Sequence, residues 1–243
     1  MNTQVTSSQP SEQSAGALDW KVVLRFVLLA VLMALVLLVA AGRLDWWQAW
    51  VYIFIMLGVS FLSRYLVFRK NPELIAERAR FTSSEGIKSW DKLLVLIIGI
   101  AGPLAVYIGA GLDERNAWSP EISLAPQIVA TVLFVLGAAL GTWAMLANPF
   151  FSSVVRIQGD RGQTVVTSGP YRMVRHPSYS GAILSWLVTP VMLGTLWAFV
   201  PVILIIVVII VRTALEDRML QAELPDYRDY AQRTRYRLLP GVW

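Results

Sequence analysis

The sequence predicts an all-α integral membrane protein with four transmembrane helices followed by a C-terminal two-helix membrane hairpin. Three observations predict it. Only 15% of the 243 residues are charged and 56% are hydrophobic, against about 25% charged in an ordinary soluble domain, and the mean hydropathy is +0.57. Several uncharged runs approach or exceed the roughly 20 apolar residues that cross a hydrocarbon core of about 30 Å. The basic residues, finally, fall almost wholly on one side of the topology that those runs define.

The elements follow in order. Residues 1–20 are polar, rich in Ser and Gln, and lack the basic start and cleavage site of a signal peptide, so they read as a disordered cytoplasmic tail. Residues 21–147 carry the first four spans. Run 26–41 is uncharged, with Lys21 and Arg25 one turn earlier and able to snorkel to the interface. Run 46–62 opens with Trp46, Trp47 and Trp50, which suit an aromatic belt. Runs 93–112 and 122–147 contain no charge. Residues 148–243 form a C-terminal core. Its uncharged run 177–211 would make a straight helix of about 50 Å, too long for one crossing. Pro190, Gly194 and Pro201 interrupt that run, which predicts a hairpin over 177–216 with arms near 177–192 and 196–216.

With the N-terminus in the cytoplasm, only Arg43 and Arg115 lie outside, and the remaining 19 of the 21 Lys and Arg lie inside. Both termini are then cytoplasmic. A net charge of +5 in so apolar a chain points to anionic lipid rather than nucleic acid. With no cysteine there is no disulfide, thiolate metal site or thiol nucleophile, and a single histidine, His176, excludes a multi-histidine metal centre.

Two cytoplasmic segments carry candidate chemistry. In the first, Gly169-Pro170 marks a turn. His176-Pro177 holds His176 out of the helix and lets Pro177 start it, with Tyr179 in the first turn. Such a helix start offers unpaired N–H groups suited to a carboxylate. In the second, Arg212 and Glu216 are four residues apart and share a helix face, with Asp217 displaced by about 100°. The hairpin returns the chain, so a guanidinium, an imidazole, a phenol and one or two carboxylates should gather at the bilayer edge. Each also has a structural alternative: a surface ion pair for Arg212 and Glu216, a packed turn residue for His176, interfacial anchors for Tyr171 and Tyr179, and a cap for Asn148.

The stretch Gly169-Pro-Tyr-Arg-Met-Val-Arg-His-Pro-Ser-Tyr-Ser-Gly181, then Arg212, Glu216-Asp217 and Leu220, then Tyr227, Tyr230 and Arg235-Tyr-Arg-Leu-Leu-Pro240, resembles the isoprenylcysteine carboxyl methyltransferase family. The resemblance covers about 148–243. Residues 71–78 and Trp90-Asp91 look like prokaryotic members of that family but carry no catalytic role in this reading. The resemblance implies an S-adenosylmethionine-dependent membrane methyltransferase with a cytoplasmic cofactor site. Gln163, Thr164, Val165 and Val166 match a strand-like segment that lines the cofactor. Tyr171, His176, Pro177 and Tyr179 match the cofactor-contacting turn and helix start. Glu216 matches a carboxylate on the cofactor, and Arg212 a residue at the substrate, so Arg212 and Glu216 are the candidate catalytic pair. Arg156 differs in type from the family residue at its position, and Asp217 stands where the family has Glu.

The implied partners are the lipid bilayer and a lipophilic or prenylated substrate, with no nucleic acid and no metal. A carboxylate acceptor needs orientation by Arg212, whereas an amine or thiol must lose a proton. The competing readings are a phospholipid amine or small thiol methyltransferase, a sterol-reductase-like NADPH oxidoreductase and a non-catalytic lipid-binding protein.

Overall fold

A computed structural model describes residues 20–79 and 86–243; the predicted N-terminal tail lies almost wholly outside the described residues. Regular structure among them is entirely helical: α1 (Trp20–Ala41), α2 (Trp47–Lys70), α3 (Pro72–Ala79), α4 (Ser89–Leu96), a π-helical turn (Ile97–Ala101), α5 (Gly102–Asn116), α6 (Leu124–Ala147), α7 (Pro177–Leu193), α8 (Phe199–Glu223) and α9 (Tyr227–Arg233).

Five of these units are long and apolar enough to cross a membrane: α1, α2, the continuous α4–α5 unit, α6 and α8. The chain is an integral membrane protein. The expected runs correspond to these helices, but several helices are longer than their apolar cores. α2 continues from the predicted 62 to Lys70, because arginines and lysines extend a membrane helix into the interface. Arg64 within that extension stacks 3.6 Å over the Phe26 ring.

The predicted hairpin is present with shifted bounds. Pro190 lies inside α7 rather than ending it; Gly194 ends it, with φ +75°, a conformation that glycine adopts without strain. α8 begins at Phe199, not 196, with Pro201 in its first turn, and runs two turns beyond the predicted end at 216. At 17 residues α7 is about 26 Å long and falls just short of the usual spanning length. Its final turn nevertheless meets the far end of the bundle. There Leu196 N donates to Ser119 Oγ at 2.8 Å, Trp197 N donates to Asp113 Oδ2 at 3.0 Å, and Trp118 packs edge-on against Trp197.

Glycines set the closest helix contacts. Gly137 of α6 and Gly181 of α7 face each other so tightly that a Cβ on either would strike the other's carbonyl oxygen. This contact fixes the first turns of α7 against the middle of α6. The π-helical turn also has a sequence cause. Pro103 has no N–H, and its ring cannot sit over the carbonyl four residues earlier, that of Gly99, so the helix widens just before it.

The apolar core runs through α1, α2, α5, α6, α7 and α8, with Trp46, Leu37, Leu193, Ile205 and Ile209 almost fully buried. A second, smaller cluster of Ala144, Tyr171, Leu224, Tyr227 and Tyr230 packs α9 and the Gly169–Arg172 turn onto the end of α6.

Candidate active site

At the basic end of the bundle a cavity of about 390 Å³ lies among α4, the π-helical turn, the loop after α6, the start of α7, α8 and α9. This size falls within the range of small-molecule sites. The hairpin and the loop after α6 come together here, as their predicted approach to one membrane surface required.

Two fully buried aspartates organise the walls. Asp217 of α8 accepts from Arg175 Nε at 2.7 Å and Nη2 at 3.0 Å, from Arg237 Nε at 2.9 Å, from Tyr227 OH at 3.1 Å and from Gln221 Nε2 at 2.8 Å. The remaining Arg175 nitrogen, Nη1, donates to the carbonyls of Thr234 and Arg235, both at 2.8 Å. The backbone N–H groups of Arg175 and His176 donate to the carbonyls of Tyr236 and Arg237. Asp217 thus fastens the C-terminal tail to the start of α7. It is wholly consumed in doing so, which accounts for a carboxylate whose role the sequence left open.

The second aspartate is Asp91, in the first turn of α4. It accepts from Arg212 Nε at 2.7 Å and Nη2 at 3.1 Å, and from the Val155 backbone N–H at 2.6 Å. Arg212 Nη2 also donates to the Ser153 carbonyl at 3.0 Å. The spacing of Arg212 and Glu216 suggested a local pair. The structure instead commits Arg212 to Asp91, 121 residues earlier, and leaves Nη1 with no protein acceptor among the described residues. Glu216 accepts from Tyr179 OH at 2.6 Å and makes no salt bridge among the described residues, although the charge of Arg212 acts on it across the cavity. Arg212 also lies 5.5 Å from the Tyr179 ring centre, and His176 stacks on Tyr179 with centroids 5.8 Å apart and planes 13° from parallel.

The candidate residues Gln163, Thr164, Val165, Val166, Tyr171, His176, Tyr179, Arg212 and Glu216 all line the one cavity; Pro177 does not. Pro177 is the buried first residue of α7, and His176 Nε2 stands 3.4 Å from Asp217 Oδ1. Residues 163–166 lie outside regular structure, with Gln163 Oε1 accepting from the Gln158 N–H at 2.7 Å. Arg156 also lines the cavity, but its guanidinium is held by Glu77 at 2.8 Å and Asp160 at 2.9 Å. The Arg156 hydrogen bond holds the Asp160 carboxyl below the usual range. Burial raises the hydroxyls of Tyr171 and Tyr227 above the ordinary phenol range and pushes Tyr230 up to about 12. Asn148, read as a cap, follows the last residue of α6 and donates to Tyr171 OH at 3.3 Å.

Sequence reasoning gave no role to Asp91 or to the Arg175–Asp217 fork. The available signal for Asp91 was an acid placed just before a 20-residue uncharged run. A carboxylate there must be paired or reach water. Phe150, Ser152 and Ser153 also line the cavity and follow from no motif. Among the described residues no group of three His, Cys, Asp or Glu could hold a metal ion.

Fold and cavity define a helical integral membrane protein with a polar cavity at the basic end of its bundle. Residues 129–222 match the model of the isoprenylcysteine carboxyl methyltransferase family. A 105-residue stretch is 33% identical to the cobalt-zinc-cadmium resistance protein CzcN of Cupriavidus metallidurans, covering 42% of this chain and 45% of that protein. The chain therefore matches less than half the length of this curated relative.

Proposed function

We propose that this protein is an S-adenosylmethionine-dependent methyltransferase acting on a lipid-like acceptor of the isoprenylcysteine carboxylate type, with its termini and active site in the cytoplasm. The observation that carries this reading is the position of Glu216: a carboxylate on a cavity wall, held by a phenol and in no salt bridge among the described residues.

Such a group fits a cationic ligand, and the faces of Tyr171, Tyr179, Tyr227 and Tyr230 around it favour one too. S-adenosylmethionine carries both an ammonium and a sulfonium; bound there, it would supply a methyl group for in-line displacement at carbon. Glu216 would hold the cationic part of the cofactor, and Tyr179 OH would fix that carboxylate in place. The positive dipole end at the start of α7 favours an anionic group nearby. Residues 163–166 would form the opposite wall.

Arg212 would orient the acceptor. Asp91 occupies the Nε–Nη2 edge of the guanidinium and holds it rigid, so Nη1 is what remains to be offered. A carboxylate acceptor needs only that alignment. An amine would also need Glu216 to take its proton. A second cavity, of about 310 Å³ and lined mostly by apolar residues of α1, α2, α5, α6 and α7, adjoins the first and suits a hydrocarbon tail.

The test is calorimetric titration of the purified protein in detergent with S-adenosylmethionine and with NADPH. Saturable binding of S-adenosylmethionine and none of NADPH is expected. Binding of NADPH alone would replace the proposal with a reductase, and binding of neither by folded protein would leave a lipid-binding shell.

A further inference from the structure

Residues 236–243 follow α9 without forming a helix, yet most of their backbone polar groups are hydrogen-bonded within the protein. The Trp243 carbonyl accepts from the N–H groups of Arg237, Leu238 and Leu239 at 2.8, 3.0 and 3.3 Å, and the Leu239 carbonyl accepts from those of Val242 and Trp243. Three further carbonyls face α7. Those of Tyr236 and Arg237 accept from the N–H groups of Arg175 and His176, both at 2.9 Å, and that of Leu238 accepts from Ser180 Oγ at 2.6 Å. The segment is a closed hook pinned along the first turn of α7.

Its side chains do the reverse of what water favours. Leu239 is 57% exposed and Val242 73%, and Tyr236 is exposed beside them in the chain. Met173, in the turn just before the pinned Arg175, is also exposed. Arg172 and Arg235, both exposed, adjoin Met173 and Tyr236 in the chain.

The depth of the hook follows from its partners. His176 Nε2 stands 3.4 Å from Asp217 Oδ1, and α7 and α8 run antiparallel, so Ser180 is level with about Thr213. That is next to the point where the uncharged stretch 199–211 of α8 gives way to Arg212, Glu216 and Asp217. Leu238, bonded to Ser180, therefore lies at the boundary between the apolar and polar parts of the bundle. A loop at the edge of lipid must satisfy its own backbone and present apolar side chains, whereas a loop in water needs neither.

We propose that residues 236–243 are an interfacial anchor, with Leu239 and Val242 inserted among the lipid headgroups at the basic end of the bundle and Arg172 and Arg235 on the lipid phosphates. Arg237 carries the anchor into the protein. Its Nε donates to Asp217 Oδ2 at 2.9 Å, and its guanidinium lies 4.8 Å from the Trp243 ring centre. A bilayer that holds the hook thereby steadies the Asp217 wall of the polar cavity. The anchor does not depend on the reaction that the cavity carries out.

The absence of cysteine allows single-site labelling of the full chain. Val242→Cys places a nitrobenzoxadiazole probe on the hook. Asp229→Cys is the control, because Asp229 is exposed on α9. Both proteins are reconstituted in phospholipid nanodiscs containing a phosphatidylcholine spin-labelled near its headgroup, with iodide as the aqueous quencher. The probe at 242 is expected to be quenched by the spin label at least about threefold more than the control probe, and by iodide about threefold less. Quenching of the two probes to the same extent by either agent would overturn the anchor. Shielding of the probe at 242 from both agents would overturn it too, because protein rather than lipid would then cover the hook. Leu239→Cys, labelled likewise, is expected to follow the probe at 242, and an iodide-accessible probe there would also overturn the anchor.

Discussion

The two ends of the α7–α8 hairpin are each organised by a buried aspartate, and the donors facing it differ. At the end remote from the cavity, Asp113 accepts from the Ser119 N–H at 2.8 Å, from Ser119 Oγ at 2.6 Å and from the Trp197 N–H at 3.0 Å. These donors are neutral, and so are the buried polar atoms left without a partner there: Trp46 Nε1, Gln127 Oε1 and Thr195 Oγ1. At the cavity end, Asp217 and Asp91 face arginines, and the wall carboxylate in no salt bridge among the described residues is Glu216. A neutral network closes a loop. A network of paired charges fixes the walls and leaves one carboxylate on the cavity wall outside any salt bridge among the described residues. The difference separates what holds the fold from what the site can offer.

The largest expected effect tests the first half of that comparison. Asp217→Ala leaves Arg175 and Arg237 buried or half-buried without their carboxylate and should cost about 3–5 kcal/mol. Asp113→Ala strands neutral donors and should cost less, about 1–3 kcal/mol. Thermal unfolding in detergent measures both, and equal losses would mean that the charge of the donors is irrelevant. The next variants test the second half. Arg212→Ala should reduce methyl transfer about a hundredfold or more, the scale of a misaligned reactant, while S-adenosylmethionine affinity measured by calorimetry stays within about twofold. Parallel loss of both would point instead to a helix defect caused by the stranded Asp91. Glu216→Ala should weaken S-adenosylmethionine binding by about ten- to a hundredfold, the worth of one charge-assisted hydrogen bond. Its unfolding temperature should fall only by the loss of the Tyr179 contact.

Much of this was legible in the chain. Apolar run length located the spanning helices, Pro190–Pro201 located the hairpin, and the His176-Pro177 step located the start of α7. Of the candidate site residues that the family motifs named, all but Pro177 line one cavity. What the sequence withheld is the long-range pairing. Helical spacing puts Arg212 and Glu216 on one face, but partner choice depends on which other helix approaches. Nothing local to Arg212 announces Asp91. Asp217 lies beside Glu216 in the chain, and a 100° turn of the helix points it toward the C-terminal tail rather than the cavity.

The smallest effect concerns the clamp formed by α9 and the Gly169–Arg172 turn. Tyr230 OH donates to the Tyr171 carbonyl at 2.7 Å, and Tyr227 OH donates to Asp217. Burial pushes Tyr230 up to about 12 and raises Tyr171 and Tyr227 as well, while a tyrosine in the unfolded chain ionises near 10. The folded state therefore keeps these protons more tightly than the unfolded one. Their contribution is complete below about pH 10 and is lost as pH rises toward and through 12, because there the unfolded state binds fewer protons. The unfolding temperature of the detergent-solubilised protein should fall progressively from pH 9.5 to 11.5, settings chosen to bracket the free phenol value. Tyr230→Phe should lower it at neutral pH by the equivalent of about 1 kcal/mol, one hydrogen bond, and make the alkaline decline shallower. A decline of unchanged slope in that variant would assign the alkaline sensitivity to groups elsewhere in the chain and detach the clamp from it.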